Sequence, residues 1–158
     1  TAGLDDDAST PDRVRWAFKV YYSDSVDFRG QGEVNHAILL APGEAARAAV
    51  SIEDSPEFLR ADLGQWFSIH RHPRLWVRPL EDSADDGHVT TRDEASADDE
   101  RRFINLSSDA LRTRQIHVAD TEDGSRLVCG NGPQVTFRNP FPGSTVEVGF
   151  DSVVERLL

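Results

Sequence analysis

From Arg13 onward the chain alternates cleanly. In RVRWAFKVYY, Val14, Trp16, Phe18, Val20 and Tyr22 share one side of a period-two pattern, which predicts a strand. SDSVDFRGQG, rich in glycine and short hydrogen-bonding side chains, predicts a loop, and EVNHAILL a second strand. In that strand His36 shares parity with Val34, Ile38 and Leu40, so it reads as a hydrogen-bonded core histidine. APGE has proline and glycine at the favoured central turn positions and leads into AARAAVSI, a predicted third strand. A helix over AARAA would have only about two turns and no cap. In DSPEFLRADLG, Ser55 as N-cap, Pro56 at the first helical position and Gly64 at the exit predict a short helix. QWFSIHRH and RLWVRPL then predict two strands parted by Pro73.

RRFINL predicts a further strand and SSDALRTR a short capped helical turn. QIHVADT, RLVCG, QVTFR and STVEVGF, separated by Asp-Gly, Asn-Gly and Pro-Gly turns, predict a four-stranded antiparallel meander. In the tail DSVVERLL, Val153, Val154, Leu157 and Leu158 stand at helical spacing and predict a last short helix. About nine or ten short strands without βα alternation or an internal repeat predict an all-β antiparallel sandwich or jelly-roll-like barrel with one or two short helices.

Composition refines the boundaries. The 158 residues fit one domain able to bury a core without staples. Residues 1–12 read as an acidic N-terminal arm and 13–158 as a single β domain. Within it, residues 81–100 form an acidic excursion carrying nine acids and one arginine, Arg92. The N-terminus lacks the basic and apolar regions of a signal peptide, and no stretch is long and apolar enough for a membrane span. Thr1 fits removal of an initiator methionine and equally cleavage of a longer precursor. The formal charge is −11, with 18 Asp, 10 Glu, 16 Arg and a single lysine, Lys19. Small carboxylates with almost no lysine suit solubility in concentrated salt, and high-GC codon usage would give a similar bias. So acidic a chain is expected to repel nucleic acid.

Against that background FSIHRHPRLWVRP is unusual, packing two histidines, three arginines and a tryptophan into residues 67–79. If Phe67 and Ile69 face the core, then Trp66, Ser68, His70 and His72 face outward. In the next strand Leu75 and Val77 alternate with Arg74, Trp76 and Arg78, so both guanidiniums can stack on the indole, each contact worth roughly 0.5–1 kcal/mol when exposed. Arginine and tryptophan are enriched at interface hot spots, although a surface tryptophan covered by its neighbours uses the same residues. The strip lies beside the acidic excursion, and one subunit's strip could meet a neighbour's acids. The partner-binding candidates are therefore Trp66, His70, His72, Arg74, Trp76 and Arg78.

Gly64 followed by five residues and His70-Arg71-His72 resembles the first half of the cupin metal motif. The resemblance covers about nine residues and implies a metal-dependent enzyme with His70 and His72 as ligands. The chain departs from the motif where a glutamate would follow, since Trp76 and Val77 stand there, and NPFPGSTVEV offers no third histidine. Other chemistry is sparse. Cys129, the single cysteine, has no neighbouring base and reads as a buried inert thiol. No serine sits in a GxSxG elbow, Gly130-Asn131-Gly132 lacks the lysine of a phosphate loop, and the acid pairs lack calcium-loop spacing. His88 and His117 have no visible partners, and Asn105-Leu106-Ser107 is a sequon that matters only on an exported chain. The expectation is a non-enzymatic structural or interaction subunit, using no cofactor or metal. It would bind a protein partner or itself, in a virion or cell-surface setting. The alternatives are the cupin-like enzyme and a monomeric ligand-binding module.

Overall fold

The computed structural model describes residues 13–64, 67–80, 101–106, 110–122 and 124–157. Within them lie nine strands: β1 (Val14–Ser23), β2 (Gly32–Leu40), β3 (Ala45–Ile52), β4 (Phe58–Asp62), β5 (Ser68–Pro79), β6 (Arg102–Ile104), β7 (Arg112–Thr121), β8 (Gly124–Arg138) and β9 (Val146–Leu157). All pairings are antiparallel, in one sheet of order β2-β1-β4-β8-β5-β9-β3, with β6 added to β5 and β7 to β8. The two ends of this path, β2 and β3, lie side by side, so the sheet is a nearly closed barrel. The described residues include no helix, and so none long and apolar enough to cross a membrane.

The alternation in β1 acts as predicted, with Trp16, Phe18 and Val20 buried. They meet Leu59 and Ala61 of β4, Leu75 and Val77 of β5, Leu127 and Val135 of β8, and Val148 and Phe150 of β9 in one core. Trp16 Nε1 donates to the Leu63 carbonyl at 2.9 Å, which satisfies the indole inside the barrel. APGE forms the expected turn: Glu44 N–H donates to the Ala41 carbonyl at 3.1 Å, and Gly43 has φ 92°. That φ at the third position defines a type II turn. Gly43→Ala is expected to cost about 1 kcal/mol through strain alone, since nothing lies within 4 Å of the added methyl; denaturant unfolding reads the loss.

Three predicted helices are strands or irregular chain. Residues 55–64 contain β4, inserted between β1 and β8 with Arg60 opposite both Tyr21 and Thr136. Ladder bonds on both edges, and burial of Phe58, Leu59 and Ala61, outweigh the local cap signals of Ser55 and Pro56. Of SSDALRTR, Arg112, Thr113 and Arg114 open β7, while 107–109 lie outside the described residues. The tail is the end of β9. A register shift leaves Glu155 as an extra residue, so Val154 is buried and Leu157 packs against the core three residues later. A bulge in a strand thus produced the i, i+3 spacing that resembles a helix turn.

The meander is also corrected, because only β7 and β8 form a hairpin within it. Asn131-Gly132 is no turn between strands: residues 130–133 bulge out of a single fifteen-residue β8, with Gly132 at φ 72°. STVEVGF leaves to become β9 between β5 and β3. Along one edge of β8, β4 and then the start of β5 follow each other, with the intervening Leu63 N–H bonded to the Pro133 carbonyl opposite the bulge. His36 is exposed on β2, not in the core.

Candidate functional site

β5 positions the cationic stretch, and its parity is the reverse of expectation at one end. Ser68 and His70 are buried and face the core, while Ile69 is half-buried. His72 is exposed, and Leu75 and Val77 face inward again. The inversion comes from a bulge: Arg71 lies opposite Val153 but Arg74 lies opposite Asp151, so β5 has one residue more than β9. His72 sits in this bulge at φ 52°, a left-handed conformation that costs a non-glycine residue about 1 kcal/mol or more. Pro73, which cannot donate to the ladder, occupies the same irregularity, so one twelve-residue strand replaces the two predicted ones. His70 and His72 therefore lie on opposite sides of the wall and do not form the paired ligands that the cupin resemblance implies.

Inside, His70 belongs to a closed polar thread. Its Nε2 is 3.0 Å from Ser68 Oγ and its Nδ1 is 2.9 Å from Ser152 Oγ on β9. The ring meets Phe150 edge-on at 5.3 Å and lies 5.9 Å from Trp16. A neutral imidazole has one donor and one acceptor nitrogen, and serine hydroxyls can answer both. Burial lowers the His70 pKa to about 4 and pushes the buried Cys129 thiol up to about 12, so both are neutral at pH 7. The order hydroxyl, imidazole, hydroxyl resembles a nucleophile with its base, yet Ser152 turns its side chain inward on β9. What this arrangement does is satisfy polar groups where β5 and β9 cross the core.

Outside, four neighbouring strands, β3, β9, β5 and β6, align side chains in rows. Arg47, Asp151 and Arg74 form one row, and Ala49, Gly149, Trp76 and Phe103 the next. Trp76 is buried, contrary to the expected exposed ladder, because its ring packs closely against Gly149 and its Nε1 donates to Asp151 Oδ2 at 3.2 Å. The guanidinium above it belongs to Arg101, 5.1 Å from the indole and 3.5 Å from Asp151 Oδ2. Arg74 instead covers Phe103 at 5.1 Å, and Arg78 pairs with Glu147 at 2.6 Å. Trp66 lies outside the described residues, as do residues 1–12 and 81–100.

Beside these rows runs an open groove of about 520 Å³, lined by Arg47, His72, Arg74, Ser125 and Asp151 among others. Asp151 is engaged by Trp76 and Arg101, whereas Arg47 and Arg74 make no ion pair among the described residues. The strip thus reduces to His72 and Arg74 from the predicted set, joined by Arg47 and Phe103, which sequence reasoning did not single out. Period two in AARAAV already turns Arg47 outward; its position across β9 from Arg74 depends on strand order, which carries no local signal. No group of three or more His, Cys, Asp or Glu able to hold a metal occurs among the described residues. No family model matches the chain, and no curated protein or solved structure matches it.

Proposed function

We propose that the protein is a non-enzymatic structural or interaction subunit that docks an acidic protein segment on the outer face of β3, β9, β5 and β6. The observation that carries this reading is the pair of guanidiniums, Arg47 and Arg74, that make no ion pair among the described residues and border one groove in a chain of charge −11. Phe103, 44% exposed beneath Arg74, adds apolar surface of the kind that interfaces cover. A second copy offers the complementary charge in residues 81–100, with nine carboxylates. Such an arrangement favours register and orientation over raw affinity. A jelly-roll-like shell subunit in a virion or on a salt-adapted cell surface is the setting that the acidic, arginine-rich composition supports.

Light scattering coupled to size exclusion, over a range of salt concentrations, tests the proposal. Wild type is expected to associate, and the doubly reversed variant R47E/R74E to associate at least about tenfold more weakly, since two favourable contacts become repulsive. High salt should weaken the wild-type complex by screening. A wild type that stays monomeric at high concentration in every salt sinks the reading.

A further inference from the structure

β7 is ten residues long and pairs only with β8; among the described residues no strand occupies its other edge. An open edge of this length offers a row of backbone donors and acceptors to another strand. The flank is not uniformly polar. A groove of about 340 Å³ runs beside it, with Leu106, Ala110, Leu111, Ile116 and Val118 in its lining, and Leu111 is 49% exposed. The charge is graded along the strand: Arg112 and Arg114 stand at its start, Asp120 and Glu122 at its end, all exposed.

We propose that this edge pairs antiparallel with β7 of a second copy, joining two barrels about a two-fold axis near His117. An antiparallel two-fold is self-complementary, so every contact occurs twice. Centred on His117, it sets Ile116 of each copy opposite Val118 of the other, extending the apolar inner face of the sheet. It also lays the cationic start of each strand along the acidic end of its mate. Parallel pairing would oppose like charges along the whole length, which disfavours it. Gln115, at φ 56°, lies opposite the β8 bulge and separates the cationic start of β7 from the run Ile116–Thr121. The edge shares no residue with the Arg47–Arg74 groove, so this inference stands without the proposed function.

The test is a charge swap. R112E/R114E alone and D120R/E122R alone are each expected to lose dimer by at least about tenfold in sedimentation, because like charges then meet at both ends. Mixed in equal amounts, the two are expected to recover dimer at the wild-type level, since each reversed end now meets its opposite. A mixture that stays monomeric, or single variants that dimerise like wild type, overturns the inference. If either variant fails to fold, hydrogen exchange on the wild type decides: β7 amides should gain protection as protein concentration rises, and concentration-independent exchange overturns the proposal. R47E/R74E should leave this β7 protection unchanged, which separates its failure from that of the groove.

Discussion

Gly149→Ala is expected to destabilise the protein by about 1–3 kcal/mol, the usual cost of forcing a methyl group into a filled site. A Cβ built at Gly149 falls 2.1 Å from Trp76 Cζ2 and 2.4 Å from Cε2, inside van der Waals contact. The indole cannot slide away freely, because it is bonded to Asp151 and capped by Arg101. It must lift off β9, and doing so exposes apolar ring surface and breaks the row that holds Asp151 beside Arg47 and Arg74. The expected readouts are a fall in Tm of about 2–4 °C per kcal/mol, and a red-shifted tryptophan emission. Trp16 and Trp66 also emit, so the shift is read against a Trp76→Phe control, in which the Gly149→Ala change should no longer move the spectrum. An unchanged Tm would mean that Trp76 is not seated on Gly149.

The barrel itself was legible where alternation is regular. The inward set of β1, the type II turn at Pro42-Gly43 and the strand character of β3 all follow from period-two patterning and turn chemistry. Parity failed wherever a strand has an extra residue. Ile69 and His70 exchanged roles, and the tail took on helical spacing, because bulges at His72 and Glu155 shift the alternation by one. Whether a strand bulges depends on its partner, and β5 meets β8, β6 and β9 at different points along its length. The same non-locality hid the groove. Arg47 and Arg74 are separated by twenty-six intervening residues yet flank one residue of a third strand, while Arg78, adjacent in the expected ladder, pairs with Glu147. Cap signals at Ser55 and Pro56 were real local preferences overruled by ladders on both edges of β4.

Acid is expected to remove about 3 kcal/mol of stability through His70 as the pH falls from about 6.5 to about 4. The folded ring, held between Ser68 and Ser152 and packed on Phe150 and Trp16, takes a proton only near pH 4, whereas the unfolded chain takes it near 6.5. In the window between, the unfolded state binds more protons, so acidification favours it. Cys129, the neighbouring titratable group, is neutral throughout that range, with its thiol up at about 12. Other groups also titrate on the way down; the Asp27 carboxyl, lowered by its hydrogen bond from Ser25, is one. Their contributions cancel when wild type is compared with His70→Gln, whose amide can bond both serines and carries no proton-linked charge. Guanidinium unfolding at pH 7 and pH 4 should show the wild type losing about 3 kcal/mol more than the variant. Equal losses would mean that His70 is not buried and neutral in the fold. The consequence reaches the outer face, because Ser152 lies between Asp151 and Val153, both of which line the groove. If the proposed association uses this groove, its loss on acidification should track the unfolding of the β5–β9 seam, since β9 lies between Arg47 and Arg74.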